Sequence, residues 1–150
     1  MIDPKELRVG SYVCNTQDIG AMLESGFNPY FQVNSIGRTG VNAVTVYDED
    51  MDSEGIDYTP FVDEVLFDQL VPISLTPEML IQCGFIKSHH GFFYIDLKED
   101  DCIWRIISER GTSAHVEVGQ EYYKRYSINN IHQLQNLYFA LTGEELKISI

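Results

Sequence analysis

The sequence predicts an α+β protein with few helices and antiparallel strands. Short apolar segments with strand-like alternation recur along the chain, and two segments of the second half have helical spacing with clear start and stop residues. No connection is long enough for several parallel crossovers. We therefore expect residues 1–73 to form an SH3-like small β-barrel or half-barrel. Residues 74–150 should form an antiparallel β-meander flanked by two helices, either as a separate unit or sharing one core with the first.

The first half contains the clearest hairpin of the chain. In "YFQVNSIGRTGVNAVTVYD", one arm carries alternating apolar residues, Phe31, Val33 and Ile36, and the other is built from Val44, Val46 and the flanking Tyr47. The segment "GRTG" supplies the turn, because glycine tolerates a positive φ. After an acidic loop, residues 64–72 should return as a strand that ends at Pro72, which cannot donate to a ladder.

Two helices are predicted in the second half. The first begins at Thr76 as the N-cap, with Pro77 following, and stops at Gly84. The second covers "IHQLQNLYFALTGEEL" (131–146) and ends at Gly143, with Asn129 or Asn130 as its cap. One stripe of it is apolar, and His132 falls on the opposite, polar side. The stripe contains Ile131, Leu134, Leu137, Tyr138 and Leu141.

Strands are predicted between these helices and after them. Residues 91–98, 102–108 and 113–119 should form a meander, and residues 122–128 should add a fourth strand or an extended lead-in to the helix. The closing residues 146–150 alternate and predict a last short strand.

Negative charge is concentrated in the middle of the chain. The net charge is −13, and residues 39–86 contain ten acids without one lysine or arginine. Phosphate backbones are repelled by such a surface, so we expect no direct nucleic-acid binding. The same charge makes the loop a candidate mimic of nucleic acid. Its acids are Asp48, Glu49, Asp50, Asp52, Glu54 and Asp57.

The acidic loop and the histidine pair are the weak candidates for a metal site. "DEDMDSEG" begins like a calcium loop, but its glycine and its twelfth residue do not match that motif. His89 and His90 are adjacent, and adjacent strand residues point to opposite faces, so a solvated turn is the favoured interpretation. We expect no metal and no cofactor.

Cysteine chemistry is not favoured by the sequence. The chain has an odd number of cysteines, and they are widely spaced, which is typical of reduced, buried thiols; they are Cys14, Cys83 and Cys102. Cys102 with His115, or Cys14 with His132, would make a thiolate–imidazole pair, but nothing in the sequence brings them together. No catalytic residue is therefore predicted.

One segment mixes cations with aromatic residues. "EYYKRYS" is the composition of an interface anchor or of a strand with one buried tyrosine face. Two cations in a strongly acidic protein suit a protein partner better than a nucleic acid. The candidate interaction residues are Tyr122, Tyr123, Lys124, Arg125 and Tyr126.

A family resemblance adds a genomic setting. "HQLQNLYFALTGEEL", with "PISLTPEMLIQCGF" and "KELRVGSYV", resembles an uncharacterised family that recurs in Bacteroidetes genomes, often beside prophages or mobile elements. The match covers the first fifteen residues and most of 70–150. The resemblance implies the order of the structural elements and the genomic context, and it implies no activity, cofactor or catalytic residue.

Three functions follow as hypotheses. The favoured one is a non-enzymatic protein–protein interaction module of a phage or mobile element. The alternatives are an acidic nucleic-acid mimic that inhibits a DNA-binding host protein, and a small metal-dependent hydrolase that uses His89 and His90. The absence of a signal-peptide pattern and of a ~20-residue apolar span predicts a cytoplasmic location without membrane contact.

Overall fold

Two five-stranded antiparallel sheets organise the chain, which is α+β as predicted. The computed structural model describes residues 2–15, 30–45, 62–99, 102–118 and 121–149. The chain divides into two compact units, Met1–Ile73 and Ser74–Ser149, and each unit contains one of the sheets.

The sheet of the first unit has the strand order β4-β3-β2-β1-β5. Its two edges, β4 and β5, do not pair, so the described residues show an open sheet and no closed barrel. Single-turn 3₁₀ helices cover Pro4–Glu6 and Phe67–Gln69. The strands are β1 (Tyr12–Asn15), β2 (Tyr30–Ile36), β3 (Gly40–Thr45), β4 (Val62–Leu66) and β5 (Leu70–Val71).

The single strand predicted over residues 64–72 is wrong, because a 3₁₀ turn divides it into β4 and β5. The Gln69 side chain closes this turn, since its Oε1 accepts a hydrogen bond from the Leu66 N–H at 3.1 Å. The local bond redirects the chain from one edge of the sheet to the other.

The predicted hairpin is confirmed as β2 and β3, but two of its predicted apolar residues, Ile36 and Val44, are not buried. Val46 and Tyr47 lie outside the described residues. Residues paired across a hairpin share a face, and Val33 pairs with Ala43 while Gln32 pairs with Val44. Ala43 is therefore fully buried with Val33, whereas Val44 is only half-buried. The core of this unit contains Ile2, Leu7, Val13, Phe31, Val33, Val41, Ala43, Val65 and Leu70.

In the turn between β2 and β3, glycine is required at position 40 because a side chain would not fit there. Neither Gly37 nor Gly40 has a positive φ. A Cβ at Gly40 would instead overlap the carbonyl oxygen of Val65, because β4 lies directly alongside. Close approach of two backbones is the reason for glycine at that position.

The second unit is the predicted meander with a helix at each end. Its sheet has the order β10-β9-β8-β7-β6, and residues 122–128 belong to a full strand. The elements are α1 (Pro77–Gln82), β6 (Ile86–Lys87), β7 (Phe93–Glu99), β8 (Cys102–Ser108), β9 (Ala114–Val118), β10 (Glu121–Ile128) and α2 (Ile131–Thr142).

The start of α1 follows the sequence prediction. The Thr76 hydroxyl oxygen accepts a hydrogen bond from the Met79 N–H at 3.2 Å, and Pro77 is the first helical residue. The backbone N–H of Glu78 and the Thr76 side chain lower the pKa of the exposed Glu78 carboxyl. Met79 and Leu80 are the buried residues of this helix.

The helix α2 ends at the predicted Gly143 and begins after Asn130, one of the two predicted cap residues. Gly143 has a φ of +71° and donates its N–H to the Phe139 carbonyl at 2.8 Å, which terminates the helix. Asn130 is the N-cap residue without a capping side-chain bond, and Gln133 Oε1 instead accepts from the Asn129 N–H at 3.3 Å.

The first turn of α2 is buried on both sides, so the prediction that His132 lies on an exposed polar side is wrong. His132 is 1% exposed and Gln135 is 2% exposed. The segment before α1 lies beside this turn, since the Leu75 N–H donates to the Asn129 carbonyl at 2.9 Å. Burial by a neighbouring segment overrides what helical periodicity alone indicates.

The last predicted strand, within residues 146–150, is also wrong for its described part, residues 146–149. Leu146 is 5% exposed, and the Ser149 N–H donates to the Gln82 carbonyl at 3.0 Å. The alternating apolar residues are satisfied by docking beside the end of α1 instead of by strand pairing.

Candidate interaction surface

The strand register of the second sheet sorts its residues into two faces. Phe93, Leu97 and Ile106 are 4%, 8% and 0% exposed and form the inner face. The opposite face carries a row in which Asp96 pairs with Arg105 and Arg105 pairs with Glu117. The next row of this opposite face is covered, because Ile107 pairs with Tyr94 and His115 pairs with Ile107, and these two residues are 9% and 8% exposed. The accessible part of the face is therefore the row of Asp96 and Arg105.

Aromatic side chains line up along the edge of this outer face. The ring centroids of His90 and Phe92 are 6.4 Å apart, and those of Phe92 and Tyr94 are 5.9 Å apart. The Arg105 guanidinium carbon lies 4.7 Å from the Tyr94 ring centroid, within cation–π range. We name His90, Phe92, Tyr94, Asp96 and Arg105 the aromatic–arginine ladder.

Arg105 is held in place without being buried. Its Nε donates to Asp96 Oδ1 at 2.5 Å, and this hydrogen bond raises the pKa of the guanidinium. The two side chains are 34% and 36% exposed, so the pair contributes at most about 1 kcal/mol to stability. Its main effect is therefore to orient the guanidinium over the Tyr94 ring.

The predicted tyrosine–cation strip lies on the other edge of the same sheet. Its backbone forms β10, in which Tyr122 pairs with Glu117 and Tyr123 pairs with Val116. The row that begins at Asp96 and Arg105 therefore continues through Glu117 to the backbone position of Tyr122. For Lys124, Arg125 and Tyr126 the structure describes the backbone, as part of β10.

Sequence reasoning missed the ladder. Asp96 and Arg105 belong to different strands, and His90 belongs to a turn, so only the sheet register brings them together. The signal that could have found it is the period-two run of Phe92, Tyr94 and Asp96 along β7.

The histidine pair lies in the predicted solvated turn. His89 and His90 are both exposed, with ring centroids 3.8 Å apart. The turn is closed by Gly91 N–H to the Ser88 carbonyl at 3.0 Å. Within the described ranges, no three His, Cys, Asp or Glu residues form a group that could hold a metal ion.

Two of the cysteines are buried and poorly nucleophilic. Burial raises the pKa of Cys14 to about 11 and that of Cys83 to about 12, so both thiols stay protonated at neutral pH.

The register separates Cys102 from His115. His115 pairs with Ile107, and Cys102 lies five residues away along β8, about 17 Å at the usual strand rise. The two residues do not form a catalytic pair. Cys14 belongs to the first unit and His132 to the second, and their pairing stays a hypothesis.

The acidic loop, from Asp48 to Asp57, lies outside the described residues. No helix in the described part of the chain combines the length and the apolar character needed to cross a bilayer. A comparison of the chain with known proteins finds no matching family model, no similar curated protein and no similar solved structure.

Proposed function

We propose that this protein is a non-enzymatic protein–protein interaction module that binds its partner through the aromatic–arginine ladder. The observation that supports this proposal is the partly exposed Arg105 guanidinium, which is oriented over the Tyr94 ring. Tyrosine and arginine are enriched among the residues that dominate binding energy at protein interfaces. The phage or mobile-element setting rests on the sequence resemblance alone.

The surroundings of the ladder favour a protein partner over a nucleic acid. Ile86, which pairs with Tyr94, is 57% exposed and extends the aromatic edge with an aliphatic contact. The neighbours of Arg105 in its row are Asp96 and Glu117. These two carboxylates offset its positive charge and would repel phosphate, whereas a mixed aromatic and charged surface is common at protein interfaces.

We also propose that the first unit is a half-barrel of the SH3-like kind. Three features support this: five short antiparallel strands, the order β5-β1-β2-β3-β4, and the 3₁₀ turn before β5. This is a proposal about fold, and it carries no function over to the chain.

A paired set of variants tests the interaction surface. The double variant Tyr94→Ser with Arg105→Gln removes the ladder contact, and Phe139→Ser with Arg110→Gln removes one exposed aromatic and one exposed arginine elsewhere in the same unit. Each protein is immobilised and incubated with host lysate, and bound proteins are quantified by mass spectrometry. We expect one partner to be retained by the wild type and the control and to be depleted at least tenfold on the ladder variant, since losing about 1.4 kcal/mol weakens binding tenfold.

Equal retention by both double variants would contradict the proposed surface, provided that both unfold in urea at a midpoint near that of the wild type. Recovery of no partner at all by the wild type would contradict the proposed function itself.

The acidic-mimic hypothesis has its own observation and its own test. Ten acids without a basic residue lie in residues 39–86, and Glu64 and Asp68, which belong to this interval, are exposed. Deletion of residues 48–57 should abolish inhibition of a DNA-binding protein, and the binding should weaken steeply with salt. Binding that does not depend on salt would exclude a mimic.

A further inference from the structure

A groove opens on the inner side of the second sheet, where α2 crosses β7 and β8. Its volume is about 300 Å³, at the lower end of the range for small-ligand sites. Two aromatic and two aliphatic side chains form its walls, and two acids lie at its rim. These residues are Trp104, Tyr138, Leu97, Leu141, Asp96 and Glu144.

The end of α2 adds negative charge to this groove. Leu141 and Thr142 belong to the last turn, which carries the negative end of the helix dipole. The Thr142 hydroxyl donates to the Tyr138 carbonyl at 2.8 Å and accepts from the Glu144 N–H at 3.0 Å. These bonds fix the backbone that presents Glu144 at the rim.

The chemistry of the groove selects a flat cation. Tryptophan is the strongest cation–π acceptor among the side chains, and Trp104 and Tyr138 both line the cavity. The Glu144 carboxylate and the helix C-terminus favour positive charge, whereas the charge of Asp96 is offset by its ion pair with Arg105. None of the described lining residues is basic. A guanidinium stacks on aromatic rings and donates paired hydrogen bonds to a carboxylate along its edge, which an ammonium does less well.

We propose that this groove binds an arginine side chain from a basic segment of a protein partner. Charge complementarity favours such a segment, since the whole chain carries a net charge of −13. The groove is lined from the inner face and from α2, whereas the ladder occupies the outer face, and they share only Asp96 at the edge. Tyr94 does not line the groove, so a Tyr94 variant separates the two proposals.

The fluorescence of Trp104 tests this proposal directly, because it is the only tryptophan of the chain. The full chain is titrated with an acetylated, amidated seven-residue peptide that has one central arginine among glycines and serines. Matched peptides carry citrulline or lysine in place of the arginine. We expect a saturable change with the arginine peptide and about tenfold weaker binding of the neutral citrulline peptide, which corresponds to about 1.4 kcal/mol.

Matched variants locate the site. Glu144→Gln should weaken binding of the arginine peptide several-fold, whereas Glu145→Gln should leave it unchanged, since Glu145 does not line the groove. The single variant Tyr94→Ser should keep the response, because Tyr94 does not line the groove and the Arg105–Asp96 pair stays in place.

Three outcomes would overturn the inference. One is equal affinity for the arginine and citrulline peptides, and another is the absence of a saturable change at millimolar peptide. The third is an equal loss of affinity in Glu145→Gln and Glu144→Gln, which would indicate diffuse attraction to the acidic surface.

Discussion

Replacing Gly111 by alanine should destabilise the second unit more than an ordinary glycine replacement does. Gly111 is buried, has a φ of +77° and donates its N–H to the Ser108 hydroxyl oxygen at 2.9 Å. A Cβ at this position would lie 2.6 Å from Cγ and 3.0 Å from Cδ of Pro77. The substitution therefore combines a strained backbone with a collision against the first residue of α1.

The two costs can be separated with a control. A left-handed conformation costs alanine about 1–2 kcal/mol, and overpacking a filled site costs about 1–3 kcal/mol. Gly143 has a similar φ of +71°, and a Cβ there would meet nothing within 4 Å, so Gly143→Ala carries only the first cost. We expect Gly111→Ala to lower the free energy of unfolding by about 2–5 kcal/mol, compared with about 1–2 kcal/mol for Gly143→Ala.

Urea unfolding followed by Trp104 fluorescence measures both variants, because Trp104 lies in the second unit. In the background Pro77→Ala, which removes Cγ and Cδ, Gly111→Ala should cost less, and this double-mutant cycle isolates the contact. A cost for Gly111→Ala that equals that of Gly143→Ala within about 0.5 kcal/mol would refute the packing argument.

Four further predictions concern a helix cap and titratable groups. Thr76→Ala should lower the free energy of unfolding by about 1 kcal/mol, measured in urea, because the Met79 N–H loses its acceptor; Thr76→Ser should restore it. Native Cys14 and Cys83 should resist iodoacetamide at pH 8 and react in urea, measured by peptide mass spectrometry; rapid native labelling would contradict their burial. Their raised pKa values predict that stability falls as pH rises above 9.0 towards 11 and 12, since the unfolded thiols ionise first. Because the pKa of Glu78 is lowered in the folded protein, its ionised carboxylate should stabilise the fold above the ordinary carboxyl pKa, and this stabilisation should be lost as pH falls through the lowered value. A difference in free energy of unfolding between the wild type and Glu78→Gln that does not vary with pH would contradict this prediction.

Local signals in the sequence were reliable where one short segment decides the outcome. Thr76 with Pro77 begins α1, and Gly143 ends α2, because capping depends on residues within a few positions of each other. The meander in the second half was predictable for the same reason, since short turns join neighbouring strands.

Local signals failed where a distant segment decides the outcome. His132 is buried although helical periodicity places it on the polar side of α2, and the inward residue of β3 depends on its register with β2. The sequence indicates that Gly40 is a glycine because of the turn, whereas the structure shows that a side chain there would overlap the carbonyl of Val65 on another strand.

By itself, the sequence determined the α+β class, the order of most elements in the second half, and the acidic character of residues 39–86, because composition and capping act over a few residues. Only the tertiary structure decided which side chains meet. Strand register placed the Arg105 guanidinium over the Tyr94 ring. The packing of α2 on the sheet brought Trp104, Tyr138 and Glu144 into the lining of one groove. These residues are far apart along the chain, and their proximity is set by the packing of the sheet and the helix.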